Sequence, residues 1–505
     1  MKIRPLRLLL PLLFSSSSWA QESDRSPSSG QEGSRLAAEE VPATVPQDPE
    51  LNVGEFVVTG KTTTPLPKIA ILPSTTLLHE DVVVRHVVRR DLELSGLYRV
   101  IDDSLAPEGN YSFQAPVDVQ AFQKLGAEAI IKVAARAASD QKIEMLGLAY
   151  FPAIGPQPVY KTSLVIDKKL ARVTAHRITD ALLGALTGRP GGFASEFVFS
   201  HQSGRHQRIF RADADGYGVR AISPKKATSI APFLRKNGQL FFSESLNYSP
   251  FYLMQLRGEN EMGSEAPKLS LHDQALRAHQ APELNRRTQT LGEPSPVEPF
   301  PLPFPSSIYS ASFSNDGKTI AIAVAENGGS GIFEGPAQGG ALSDFRRVST
   351  TGFATQPSYS AAGQLTWVGG GAKGVPPRIY VDGKPVSPAT HSASAPTFCE
   401  TEDGTFLVFS LALGDGHHDL FISQTNGGQL RRLTQGQGSN RYPACSPDGR
   451  LLAFFSNRSG KDALYVLSLK RGTTQRVMKH PGESLRWQAL PPAKVDRADQ
   501  NQEKQ

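Results

Sequence analysis

Cysteine is nearly absent from this 505-residue chain, which has only Cys399 and Cys445. Two thiols cannot build a disulfide framework or a four-cysteine metal site, and one bridge is the most they allow. They fall at similar positions of neighbouring repeats. Two buried thiols are the preferred reading, with a bridge open to them in an oxidising compartment. Long hydrophobic runs are missing as well. The apolar run Leu8–Phe14 is far short of the ~20 residues that cross a bilayer, and no later stretch reaches that length, so no membrane span is expected. Net charge is low, +6, and Lys2, Arg4 and Arg7 near the start supply three of those charges. Such a balance argues against a nucleic-acid partner. No G-X-Y period and no sustained heptad occurs, which excludes collagen and coiled coil. Turn chemistry is what the chain has in plenty: 45 glycines and 38 prolines, pointing to many strands.

Basic Met1–Arg7, the apolar run, and Ser18-Trp19-Ala20 have the layout of an export signal over residues 1–20, cleaved after Ala20. Residues 21–52, rich in Ser, Glu, Gln and Pro, cannot offset the entropy of ordering and are expected to be a disordered extension, as are residues 491–505. Residues 53–188 read as an α/β domain. Glu55–Gly60, Lys68–Leu72, Tyr98–Ile101, Ala129–Arg136, Ile143–Tyr150 and Tyr160–Asp167 have strand character. Helices are expected at His79–Ser95, stopped by Gly96, at Val117–Leu125, stopped by Gly126, and at Leu170–Leu186. Gly54…Gly60-Lys61-Thr62 is not a phosphate loop, because five residues rather than four separate the glycines and Phe56-Val57-Val58 favours a strand.

Residues 189–490 are repetitive. Ser314-Asn315-Asp316-Gly317, Ala361-Ala362-Gly363, Glu402-Asp403-Gly404 and Ser446-Pro447-Asp448-Gly449 mark equivalent turns, with glycines 46, 41 and 45 residues apart. Periods near 40–45 with four strands each are the signature of a β-propeller. Counting back from the last repeat gives six blades. The first begins at Phe193–Phe199 without an inner strand, and Leu485–Leu490 is a surplus strand placed to fill that vacancy and close the ring. Residues 259–303, polar and proline-rich, read as an insertion between the second and third blades, reaching the end of the ring where the long inter-blade connections lie. The expected fold is thus multidomain, an α+β N-terminal domain with a mixed sheet followed by an all-β six-bladed propeller.

No catalytic or metal motif is complete on this frame. Gly328-Gly329-Ser330-Gly331 does not complete a G-x-S-x-G elbow, and H-E-x-x-H is missing. Successive residues of His417-His418-Asp419 point alternately on an extended segment, and Asp213/Asp215 lack the third oxygen position of a calcium loop. No catalytic, cofactor or metal residue is assigned, and the chain reads as a non-enzyme. A secreted propeller hydrolase or a glycan-binding module is the rival reading. The inter-blade loops offer Ser306, Thr350, Thr351, Phe353, His391, Asn440, Arg441 and Tyr442 as a surface suited to a rigid protein partner.

Lys68-Ile69-Ala70-Ile71-Leu72-Pro73, Ser95-Gly96-Leu97-Tyr98-Arg99-Val100-Ile101-Asp102, Leu125-Gly126-Ala127-Glu128-Ala129 and Asp180…Leu186-Thr187-Gly188, followed by S-P-D-G repeats, occur in an order that resembles the TolB family. The resemblance covers about Gly54 to Leu490. It implies a monomeric, non-enzymatic periplasmic component of the Tol-Pal envelope system that supports outer-membrane integrity and cell division. On the same resemblance, the inter-blade loops would bind a Pal-like peptidoglycan-associated lipoprotein. Glu55, Phe56, Val57, Val58 and Thr59 would form a strand that binds a TolA-like inner-membrane protein by β-augmentation. In the family this strand opens the mature chain, whereas here residues 21–53 precede it.

Overall fold

The computed structural model describes residues 65–74, 76, 78–246, 249–256, 297–370 and 374–491. The export signal, the extension, the strand Glu55–Thr59, most of the insertion and most of the C-terminal tail therefore lie outside the described residues. No helix among the described residues is long and apolar enough to cross a membrane.

The α/β domain is one five-stranded sheet with helices on both faces. Its strands are β1 (Lys68–Ile71), β2 (Arg99–Val100), β3 (Ala129–Ala137), β4 (Lys142–Tyr150) and β5 (Tyr160–Asp167), ordered β2-β1-β3-β4-β5. β1 runs parallel to β2 and β3, and β3-β4-β5 is an antiparallel meander. Alternation along β1 divides the core: Ile69 and Ile71 face helices α1 (His79–Ser95) and α3 (Ala171–Thr187), while Ala70 and Leu72 face α2 (Val119–Lys124). α1 buries Val84, Val87, Val88, Asp91 and Leu92, one stripe at helical spacing. Gly96 ends the helix in the left-handed region at φ 63°, and its N–H bonds to Glu93 O. Gly147 lets α3 lie close on β4, since a Cβ there would meet Ile178 Cγ2 at 2.8 Å.

Six four-stranded sheets follow, and they form a propeller. The inner strands are Glu483–Ala489 for blade I, Thr228–Leu234 for blade II, Ile308–Phe313 for blade III, Phe353–Tyr359 for blade IV, Ala393–Thr401 for blade V and Asn440–Cys445 for blade VI. Blade I is the closure anticipated above. Its inner strand comes from the end of the repeats and pairs antiparallel with Ser195–Ser203, with Trp487 opposite Phe197. The Trp487 indole packs against Phe197 in a tilted arrangement, 4.7 Å between centroids, and donates to Ser195 Oγ at 2.8 Å.

The repeated turn is built as its residues dictate. Ser446 Oγ bonds to Asp448 Oδ1 at 2.6 Å and accepts from Leu451 N at 2.9 Å, while Gly449 sits at φ 71°. Ser314, Asp316, Thr319 and Gly317 repeat this geometry in blade III. A second repeated device lies on the axis. Ala231, Gln356, Ala395, Tyr442 and Ser484 take positive φ between 49° and 56°, each in an inner strand at a shift of pairing register. These are β-bulges, and the first four precede Pro232, Pro357, Pro396 and Pro443.

Three expectations need correction. Val297–Pro299, read as part of an inter-blade insertion, pairs with Tyr252–Leu256 as the outer strand of blade II. The insertion therefore leaves and re-enters within that blade, between its third and fourth strands. Those strand ends lie at the ring end that carries the tight turns, opposite the end to which the insertion was assigned. The cysteines are not thiols: Cys399 and Cys445 form a disulfide, with Cα atoms 5.4 Å apart. Their inner strands are neighbours near the axis, and the cysteines are one position out of step, Cys399 four residues after the bulge at Ala395 and Cys445 three after that at Tyr442, so strand alternation turns the two side chains toward each other.

Candidate protein-interaction face

Strand alternation gives the ring two ends. First-to-second and third-to-fourth turns lie at one end, and second-to-third turns share the other with the inter-blade connections. The α/β domain occupies the first end. Arg172 donates to Asp213 at 2.8 Å and Asp215 at 2.6 Å in the third-to-fourth turn of blade I. Arg189 pairs with Glu402 at 2.8 Å, and Arg450 Nη2 donates to Thr187 Oγ1 at 3.0 Å. Gln475 Nε2 donates to Glu93 O at 2.6 Å. So Asp213 and Asp215 act as a turn and as the seat for Arg172.

Beneath this seam His176 Nδ1 lies 2.8 Å from Asp91 Oδ2, both fully buried. Burial pulls the imidazole down, but the Asp91 carboxylate, with Asp215 and Asp213 beyond it, outweighs that and raises it to about 9. Burial also raises Asp91, against the pull of His176. Asp180 joins the two parts by accepting the N–H groups of Phe193 at 2.7 Å and Ala194 at 2.8 Å, and burial lifts its carboxyl to about 6.

All eight anticipated loop residues lie at the opposite, open end, at the starts of the inner strands of blades III to VI. They differ in availability. Thr350 is exposed, and Phe353 presents 39% of its surface, unusual for phenylalanine. Their loop is braced: Arg347 donates to Thr351 O at 2.9 Å and to Glu326 at 3.1 Å, and Thr351 Oγ1 donates to Phe353 O at 2.7 Å. Ser306 and His391 are half-buried, the latter bonded through Nδ1 to Thr390 Oγ1 at 2.8 Å.

Asn440 is fully buried and serves as a hub. Its Nδ2 donates to Asp419 Oδ1 at 2.8 Å and Gly438 O at 3.1 Å, and its Oδ1 accepts from Arg458 at 2.8 Å. It shapes the face from behind. Arg441 is half-buried and donates to His418 Nδ1 at 3.3 Å; burial, then the Arg441 charge, lowers the His418 imidazole to about 4. Tyr442 turns toward the axis, and burial raises its phenol to about 12.

His417-His418-Asp419 does not converge on one point. His417 faces Asp415 at 3.1 Å, His418 faces Arg441, and Asp419 is taken by Arg432, Thr434 and Asn440. The open end also receives the second-to-third-strand connections, which the sequence reading did not use: Asn327-Gly328, Leu413–His417 and Asn457–Asp462. Strand alternation alone could have placed them there. Arg458, in the last, lies over Phe454 and Tyr465 at 5.0 and 4.9 Å.

Residues 55–146 match the TolB amino-terminal domain and residues 378–490 the TolB beta propeller domain. The Tol-Pal system protein TolB of Dinoroseobacter shibae is 28% identical over 177 residues, covering 34% of this chain and 39% of that protein. That of Aromatoleum aromaticum is 29% identical over 156 residues, covering 31% and 36%. The matched stretch thus spans well under half the length of these relatives. In solved structures, TolB from Acinetobacter baumannii shares the fold, with a TM-score of 0.64 at 17% identity over 85% of this chain and 97% of that one.

Proposed function

We propose that this chain, TolB-like in both its parts, is a non-catalytic, monomeric periplasmic component of a Tol-Pal envelope system, supporting outer-membrane integrity and cell division. Its open ring end binds a Pal-like peptidoglycan-associated lipoprotein. The observation that carries this reading is the asymmetry of the ring. One end is taken up by the α/β domain, while the other holds a braced loop with an exposed phenylalanine, Phe353, beside Thr350. A rigid aromatic anchor in an ordered loop is the usual core of a binding hot spot. Glu55–Thr59 serves as the strand added to a TolA-like inner-membrane protein; the family resemblance supports this part.

The test is surface plasmon resonance with the soluble domain of the lipoprotein from the same envelope. Phe353→Ala is expected to weaken binding at least about tenfold with an unchanged melting temperature. Val57→Asp should leave lipoprotein binding intact and abolish binding of the TolA-like domain. Equal lipoprotein affinity of Phe353→Ala and the parent protein would refute the assigned face.

A further inference from the structure

On the axis, at the level of the bulges, the ring forms a partly open cavity of about 20 Å³. Every inner strand lines it, through Ala231, Ser310, Gln356, Ala395, Tyr442 and Arg486 among others. A space of this size holds one water-sized occupant. The lining carries a cation and neutral dipoles, and none of its residues is a carboxylate.

Arg486 is the unusual member. Arg486 is half-buried, and among the described residues its guanidinium has one hydrogen-bond partner, Leu485 O, which Nη1 reaches at 3.0 Å. The nearest acid in sequence, Glu483, is held by Gln207 at 3.1 Å. Burial alone lowers the Arg486 guanidinium to about 10, so it stays charged at neutral pH. A cation drawn partly out of water without an acidic partner favours an anion beside it. No side chain lining the cavity supplies one. Gln356 Oε1 is occupied by the N–H of Ala395 at 2.8 Å, which leaves its NH2 group as the free end. Guanidinium, amide NH2 and hydroxyl groups together make a donor set for an anion, and the guanidinium excludes a metal cation.

We propose that the axial cavity is an anion site that holds one monoatomic anion, chloride in physiological media, as the counter-ion of Arg486. A space for one water-sized occupant favours a monoatomic anion over a polyatomic one.

Crystals of the full chain grown with sodium bromide in place of chloride provide the direct test. A bromide anomalous peak on the axis, within hydrogen-bond distance of the guanidinium, is expected; a fully occupied site without anomalous signal would be water and would overturn the proposal. In solution, replacing sodium gluconate by sodium chloride at constant ionic strength should raise the melting temperature saturably, by about 2–4 °C once chloride is several times its Kd. Arg486→Met, which keeps the length and loses the charge, should abolish that saturable rise. An identical chloride response in the two proteins refutes the site. Should Arg486→Met fail to fold, the bromide experiment on the parent protein decides alone.

Discussion

Breaking the Cys399–Cys445 bridge is expected to cost this ring a large part of its stability. The two residues lie 46 positions apart, on the inner strands of blades V and VI. Closing a loop of that length in the unfolded chain removes about 13–14 cal/mol/K of entropy, or about 4 kcal/mol at 25 °C in the chain-entropy account. The bridge also sits where the chain is crowded: a Cβ on Gly449 would collide with Glu400 O, next to Cys399. Reduction should therefore lower the melting temperature on the order of 10 °C. The assay is calorimetry of the parent protein and the Cys399→Ala/Cys445→Ala variant, each with and without reductant, plus thiol titration in guanidinium. The non-reduced parent should titrate no thiol, its transition should fall on reduction, and the variant should ignore reductant. Two titratable thiols in the non-reduced parent, or a transition indifferent to reduction, would refute the reasoning. It would also remove a physical argument for an oxidising compartment.

Other perturbations address the closure and the seam. Trp487→Ala removes the ring packed against Phe197 and the donor to Ser195, and should cost about 3–5 kcal/mol by urea denaturation. His176 is raised from 6.5 to about 9 in the fold, so its stabilisation is fully present below pH 6.5 and is lost as pH rises through 9; His176→Gln should flatten that alkaline slope in pH-dependent unfolding. Asp180→Ala leaves the N–H groups of Phe193 and Ala194 without their acceptor and should destabilise by about 1–3 kcal/mol per lost bond; a change below about 0.5 kcal/mol in urea would discount this link.

Local signals made much of this fold legible. α1 could be bounded to the residue because valines at helical spacing meet Gly96, whose positive φ stops the helix. Ring closure followed from counting, since one blade lacked an inner strand and the chain end supplied one. The outer strand of blade II escaped because Val297–Pro299 is three residues long, ends in proline and shows no alternation. Only its pairing with Met254, Gln255 and Leu256 identifies it. The disulfide escaped because repeat spacing gives only similarity of position, while the faces the two cysteines take and the distance between them depend on the bulges and on how tightly the inner strands meet. Asp91 and His176, 85 residues apart, and the lone Arg486 carry no motif. Of the eight loop residues, their shared end was readable from alternation, but the burial of Asn440 was not, because an asparagine hub and an asparagine contact look alike in sequence.

The bulges link the open end to the axis. In blade IV, Gln356 lines the cavity three residues after Phe353. In blade V Ala395 follows His391 by four, and in blade VI Tyr442 is adjacent to Arg441. Each bulge turns its strand just after the chain enters it from an inter-blade loop, and a bulge re-aims the residues beside it. Loop geometry at the open end is therefore set by the same backbone that lines the cavity. The α/β domain has its seat on the turns at the other end. A partner at the open end consequently meets loops whose positions are fixed by the packing of six inner strands around the axis. On the proposed reading, Phe353, at the entry to a bulged strand and braced by Arg347 and Thr351, would lose less conformational entropy on binding than a phenylalanine on an unbraced loop.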